Sequence, residues 1–450
     1  MKKVLDGLIF LIIILLLGFL VFIYLVKNDS SSFSIKNIKL VEFDEEKNEI
    51  IVRVEKKNQI ISNDFFCYAK SKNHSYKTKG RNNACEFSLP IEEDYKIYIK
   101  NGYLKTKEIS LNNYVENRLK FSFDEDEIYL IVGEDYELKY KDKYAFVKPS
   151  YTFISSNNDV ASVEGNIIHA NGNGEAVINI ENGEKGLKVI VTDLVHKPVW
   201  EGQDKPRLTC HVYSEEEANL LDKLLDFQVS KAGNGTRAGA VAAARFLTLE
   251  LPYRVPYFYE NGRLDEKTAV NIVDGEGRYY HKGLYLSDNK FNDISSSFAG
   301  PAAWGCPLMN FEDDEDSGYY EGQIRGNGLD CSGFVSWTLK NGGFDPGDVG
   351  AGENEGIYQL TDTGDYTKLT PDLIYSGKIK AGDLFNYWGH ISIIVGIDDE
   401  AFYVAESLQF YSFDGVTVKR YSKDYVTNVF EYVVLMDSYY KEDGNYTEMW

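Results

Sequence analysis

The chain has 450 residues, 43% of them hydrophobic and 26% charged, and carries a formal net charge of -22 at pH 7. That length exceeds one ordinary domain and predicts roughly two to four. The acidity argues against a nucleic-acid partner, because neutralising phosphates takes clustered Lys and Arg. Abundant Tyr, Phe, Ile and Asn with scarce Pro suit folded β-rich modules rather than disordered linkers.

Gly7 to Val26 (GLIFLIIILLLGFLVFIYLV) is an uncharged apolar run. As a helix it would extend about 30 Å, the thickness of a bilayer's hydrocarbon core. It is longer than a signal-peptide core and no small-x-small site follows it, so an uncleaved anchor within residues 1–29 is expected rather than a removed signal. Lys2 and Lys3 before the run, and Asp29 with several serines after it, predict a cytoplasmic N-terminus. The expected localisation is a single-pass membrane protein whose bulk is extracellular and faces the cell wall.

Five cysteines, Cys67, Cys85, Cys210, Cys306 and Cys331, leave at least one thiol unpaired. Cys67 and Cys85 flank a short Lys-rich stretch and are candidates to cross-link neighbouring strands. Cys210 with Cys306 is a looser pairing, and the alternative is that all five are reduced.

Residues 33–123 alternate apolar and polar side chains in short runs, IIVRV at 50–54 and YKIYIK at 95–100, which predicts a β-sandwich module. His74 lies in a polar, turn-like stretch and reads as a solvated loop residue. Over 124–194, the segments IYLIVGEDYELKY, FISSNNDVASV and NIIHANGNGEAVINI resemble the second group of bacterial immunoglobulin-like domains. The resemblance implies an all-β sandwich of a kind that commonly serves as spacer or adhesin, with Gly172 and Gly174 permitting a tight turn before Ala176, Ile178 and Ile180. His169 reads as a surface strand residue. Residues 195–207, with two prolines and mixed charge, read as a linker.

The remaining residues, 208–450, begin with two helical patterns, SEEEANLLDKLLDF and TRAGAVAAARFLTLEL. Then follows GNGLDCSGFVSWTLKN at 326–341. Here Asp330 is suited to cap a helix starting near Cys331, whose N-terminal partial charge would stabilise a thiolate. A buried structural cysteine is the alternative. In AGDLFNYWGHISIIVGIDDEAFYVAES, His390 opens an apolar run that reads as a buried strand, and the returning strand ends at Glu406. That carboxylate is suited to fix the imidazole's tautomer, completing a nucleophile, base and orienter, although a satisfied core histidine is the bland reading of His390. His211 and His281 lie in polar, loop-like contexts.

Asp330-Cys331-Ser332-Gly333-Phe334, the turn Ala381-Gly382-Asp383-Leu384 and Gly389-His390 together resemble the signature of NlpC-type cell-wall peptidases, a papain-like family. The resemblance covers about half the chain. It implies a compact α+β fold with catalytic Cys331, His390 and Glu406, the last at a position where the family more often has His, Asn or Gln. It also implies an upstream tyrosine near the oxyanion. Tyr257, in Pro256-Tyr257-Phe258-Tyr259, keeps the phenol; Pro301-Ala302-Ala303-Trp304-Gly305-Cys306 keeps Trp-Gly and lacks it. Tyr257 is favoured, since a phenol donates to an oxyanion and Ala302 cannot. The long gap to Cys331 then implies an insertion at about 260–325.

The expected architecture is therefore a single N-terminal transmembrane helix, two all-β immunoglobulin-like sandwiches and a C-terminal α+β papain-like domain. No cofactor and no metal is expected, because the acidic run FEDDEDSG at 311–318 lacks the alternating ligands and glycine of a calcium loop. The expected function is a cell-wall hydrolase, a cysteine endopeptidase cutting peptidoglycan stem peptides through an acyl-enzyme on Cys331. The alternatives are an adhesin or wall-binding protein with a degenerate catalytic domain, and an amidase or transpeptidase using the same residues.

Overall fold

The computed structural model describes residues 11–21, 33–57, 64–91, 94–102, 104–113, 118–144, 149–181, 186–200, 205–209, 212–257, 305, 307–309, 324–326, 328–346, 349–352, 358–409 and 415–447. The chain forms two compact units. The first takes residues 1–126, 138–154 and 179–187, and the second takes 127–137, 155–178 and 188–450.

In the first unit eight strands run in sequence: β1 (Ile35–Asp44), β2 (Glu49–Lys56), β3 (Phe66–Lys70), β4 (Ser75–Lys79), β5 (Ala84–Pro90), β6 (Lys96–Asn101), β7 (Leu104–Lys105) and β8 (Ile109–Ser110). They make one sheet ordered β1-β2-β5 and another ordered β4-β3-β6-β7, with β8 also paired to β6. The alternation read from the sequence is what closes the core: Ile50, Val52 and Val54 of β2 are buried while their neighbours are half-exposed. They pack with Phe87 and Leu89 of β5 and Ile97 and Ile99 of β6. A disulfide joins Cys67 on β3 to Cys85 on β5, one from each sheet, across a sequence separation of 18. Closing a loop of that size stabilises the module by about 3 kcal/mol in the chain-entropy account. Elsewhere in this unit, Arg118–Phe123 pairs antiparallel with Tyr140–Tyr144.

The second unit begins with Glu127–Ile131, paired in parallel with residues 188–192, and with Ile167–Ala170, paired to both Asp135–Glu137 and Ala161–Glu164. His169 sits on one of these strands, with Nδ1 2.7 Å from Oδ1 of Asp135. Helix α1 (Glu215–Ala232) starts at a reciprocal capping box between Ser214 and Glu217. Helix α2 (Arg237–Arg245) starts at Thr236 and continues into a π-helical turn, Phe246–Glu250. Helix α3 is Cys331–Asn341. The strands β9 (Asp365–Lys368), β10 (Leu384–Tyr387), β11 (His390–Ile397), β12 (Ala401–Leu408), β13 (Gly415–Ser422) and β14 (Tyr432–Leu435) form a six-stranded sheet ordered β9-β14-β10-β11-β12-β13. Every residue of β11 and β12 is buried, which is why their sequences are nearly continuous apolar runs. Phe334, Val335 and Trp337 of α3 share one core with Ile391, Ile393 and Val395 of β11.

Arg237 ties this unit together. Its guanidinium is fully buried and donates to Asp383 at 2.7 Å, to the Ala381 carbonyl at 3.1 Å, to Asp437 at 2.6 Å and to Asp443 at 3.0 Å. Asp383 also accepts from the backbone of Lys380 and Met436. The Ala381-Gly382-Asp383-Leu384 turn is thus a structural joint between α2 and the sheet.

Two expectations are corrected. The described residues are mostly β-sheet with few helices, and the expected architecture of a transmembrane helix, two immunoglobulin-like sandwiches and a papain-like α+β domain gives way to that description. The physical reason is the abundance of β-branched and aromatic residues, alternating in strands of the first unit and in buried runs in β11 and β12 of the second. In the apolar run expected to span a membrane over 7–26, the described part is a helix over residues 11–21. Among the described residues no helix is long and apolar enough to cross a membrane, and the expected single-pass membrane localisation is withdrawn with it.

Candidate active site

The N-terminus of α3 is built by Asp330. Its backbone is extended, and its Oδ1 accepts from the Gly333 amide at 2.8 Å and from the Ser332 hydroxyl at 3.1 Å. The loop that leads into it is pinned twice: the Leu329 amide donates to the Pro256 carbonyl at 3.0 Å, and Ser407 of β12 donates to the Leu329 carbonyl at 2.6 Å. Cys331 therefore begins a rigid helix. Its Sγ lies 3.9 Å from the carbonyl oxygen of Gly389.

Gly389 belongs to the turn Tyr387-Trp388-Gly389-His390 that joins β10 to β11, and it has φ +73°, a conformation that favours glycine. Asn386 closes this turn by donating to the His390 carbonyl at 2.8 Å. On the next strand Ala405 pairs with Ile393. Glu406 then falls opposite Ser392, with His390 as its diagonal neighbour on the same face. The side chains meet: His390 Nε2 is 2.9 Å from Glu406 Oε2. Tyr421 donates to the other carboxylate oxygen at 2.8 Å, and Lys419 Nζ is 3.6 Å from it.

With Nε2 bonded to a carboxylate, that nitrogen carries the proton and Nδ1 is left as the basic position. Burial, reinforced by the Asp330 carboxylate, pushes the Cys331 thiol up to about 12, against the lowering from the backbone of Ile391 on β11 and of Ser332 and Cys331 at the helix start. Burial thus works against the thiolate that the helix end alone would favour.

Cys331, His390 and Glu406 are thus brought to one region. Tyr257 directly follows Pro256, whose carbonyl holds Leu329, so its backbone runs beside the loop before Cys331. Trp304 and the pairing of Cys210 with Cys306 lie outside the described residues, as do His211, His281 and the acidic run at 311–318. Among the described residues no group of His, Cys, Asp and Glu is arranged to hold a metal ion.

Three aromatic residues at the site went unread in the sequence. The Tyr387 ring is 4.8 Å from that of His390, and burial, reinforced by the nearby Glu406 carboxylate, raises its phenol to about 12. Tyr421 comes from β13, remote from any motif. Trp388 is 80% exposed beside the turn glycine. The Tyr-Trp pair preceding Gly389-His390 was the available signal, since a bulky aromatic at a hairpin tip has nothing to pack on.

No protein-family model matches the chain, and no curated protein matches it. Among solved structures it is similar to the S-layer protein SbsC domains 4 and 5, at 13% identity and a TM-score of 0.15, over 23% of this chain and 67% of that one. A longer SbsC structure, domains 4–9, matches at 12% identity and 0.16, over 40% of this chain and 34% of that one. The N-terminal eight immunoglobulin domains of Down Syndrome Cell Adhesion Molecule match at 9% and 0.20, over 35% and 25%. The chain spans about a third or less of these two longer structures, and likeness at such scores defines neither fold nor activity.

Proposed function

We propose that the chain is a cysteine peptidase acting on peptidoglycan stem peptides, with Cys331 as nucleophile, His390 as base and Glu406 as orienter. The observation that carries this reading is the His390–Glu406 contact of 2.9 Å on strands packed against the helix that begins at Cys331. An imidazole fixed through Nε2 is ready to take a proton at Nδ1. As Cys331 Sγ bonds to the substrate carbonyl carbon, its proton passes to His390, and His390 returns it to the amine as the C–N bond breaks. Water then hydrolyses the thioester. Backbone amides at the start of α3, with Tyr257, are suited to receive the oxyanion. The substrate class rests on the resemblance of Asp330–Phe334, Ala381–Leu384 and Gly389–His390 to NlpC-type peptidases, and the bond it implies joins γ-D-glutamate to the diamino acid.

The test is digestion of purified peptidoglycan by the full chain, with mass spectrometry of the released fragments. Fragments with a new terminus after D-glutamate, absent with Cys331→Ala and His390→Ala, are expected. A Cys331→Ala protein that releases the same fragments would sink the proposal. One observation favours a second reading, a domain that binds the wall without cutting it: Cys331 is only 8% exposed, and burial pushes its thiol up to about 12. Sacculus binding unchanged in both variants, with no fragments from the wild type, is the outcome that reading requires.

A further inference from the structure

The chain is strongly acidic, yet one sheet face of the first unit reverses that sign. Strands β3, β4, β6 and β7 read FCYAK, SYKTK, KIYIKN and LK, so they carry six lysines and no acidic residue. The register decides where these lysines point. Phe66 pairs with Lys79 and Lys100, Tyr68 with Lys77 and Tyr98, Lys70 with Ser75 and Lys96, and Lys100 with Lys105. Directly opposed residues share a face. Cys67, Ala69, Ile97 and Ile99, of the other parity, are buried in the core. All six lysines therefore stand on the outer face.

The ammonium groups are organised over a floor of rings. Tyr68 and Tyr98 stack with centroids 4.9 Å apart. Lys77 Nζ lies 4.1 Å from the Phe66 centroid and Lys105 Nζ 4.2 Å from that of Tyr98, while Lys100 Nζ lies 5.6 Å from Tyr68. These contacts hold the lysine stems without removing their charge. Asp64 forms an exposed ion pair with Lys79, while Glu108, just before β8 beside β6, pairs with Lys105 and also lies near Lys96 and Lys70; such exposed pairs are weak and screened by salt.

We propose that this face binds a flexible extracellular phosphodiester polymer, a chain of polyol or sugar units linked through phosphate. Lys70 faces Lys96 and Lys100 faces Lys105 across adjacent strands, about 5 Å apart, and Lys77 and Lys79 stand about 7 Å apart along β4, a two-dimensional array of point charges on which a flexible polyanion can run in several paths. Lysine suits phosphate as a point charge, without the fixed fork geometry of Arg. A protein interface would need an exposed apolar centre, and here lysines cover the rings. Single-stranded nucleic acid would need open rings for base stacking. The Cys67–Cys85 disulfide, anchored in β3 itself, also belongs to an oxidising compartment. The inference does not depend on the chemistry of Cys331.

The experiment measures binding of the full chain to poly(glycerol phosphate), with oligothymidylate and phosphatidylglycerol vesicles as competitors, across a range of salt. Saturable binding is expected whose logarithm falls against log salt by about 0.7 per lysine engaged. The variant Lys70→Gln/Lys77→Gln/Lys96→Gln/Lys100→Gln, with an unchanged melting transition, is expected to bind at least tenfold more weakly and with a shallower salt slope. No binding, a quadruple variant that binds like wild type, or tighter binding to the oligonucleotide or vesicles would each overturn the proposal.

Discussion

Glu406 holds His390 with one carboxylate oxygen, at 2.9 Å from Nε2, and accepts the Tyr421 hydroxyl at 2.8 Å with the other. The carboxylate is thereby fixed at both ends, and it can satisfy two donors because both of its oxygens accept. An amide cannot: in Glu406→Gln one donor faces an NH2 group. We expect that substitution to lower kcat/KM on a soluble γ-D-glutamyl peptide by about 10²-fold, the lower end of what general acid–base catalysis contributes. Tyr421→Phe should cost much less. A Glu406→Gln enzyme as active as wild type would remove Glu406 from the mechanism.

Asp330 has two opposing effects on Cys331. As helix cap it holds the Gly333 amide at 2.8 Å, and as an anion it adds to the burial that pushes the thiol up to about 12. Asp330→Asn keeps an accepting oxygen for the cap and removes the charge. Lowering the thiol by half a unit would raise the thiolate fraction about threefold. Alkylation of Cys331 by iodoacetamide at pH 8 should quicken accordingly, with the melting temperature nearly unchanged. A slower reaction would mean that the cap, and not the charge, dominates.

Much of this site was legible because it depends on local signals. The Asp330 cap, the helix from Cys331 and the buried strands of His390 and Glu406 all follow from capping chemistry and apolar runs. What was hidden depends on register. An irregularity in the β11–β12 pairing between Ile394 and Gly396 shifts the register within that pair, while Glu406 meets Tyr421 only because β13 pairs with β12. The lysine face was hidden for the same reason: YKIYIK shows alternation, but only four aligned strands put six lysines on one side.

Arg237 opens the Ala-rich helix α2, where nothing in the sequence marks it as buried. It is instead wholly buried against Asp383, which is 1% exposed in its side chain. Burial raises the Asp383 carboxyl while the guanidinium pulls the other way. Removing the cation leaves an uncompensated buried carboxylate, so Arg237→Ala should lose about 3–5 kcal/mol in urea denaturation. Asp383→Asn, which leaves Asp437 and Asp443 to balance the arginine, should lose less. Equal losses would assign the joint to packing rather than charge.

Glu250 ends the π-helical turn after α2, is fully buried, and lines a cavity of about 490 Å³ with Gln228 and Arg245. Burial raises its carboxyl from 4.5 to about 8, with Gln228, Arg245 and Lys205 lowering it and Glu134 adding to the rise. Between those two values the folded protein holds a proton that the unfolded chain releases. Stability must then fall as pH rises through that window, by up to about 1.4 kcal/mol per pH unit. Lys205 acts in the next window. Burial lowers it from 10.5 to about 8, so its contribution makes stability rise with pH above that point. Glu250→Gln deletes only the first effect. Whatever its absolute stability, the difference between wild-type and variant denaturation midpoints should shift against the wild type as pH goes from 5 to 8. A difference constant over that range would mean that Glu250 is already ionised at pH 5 and that the buried cations Arg245 and Lys205 outweigh its desolvation.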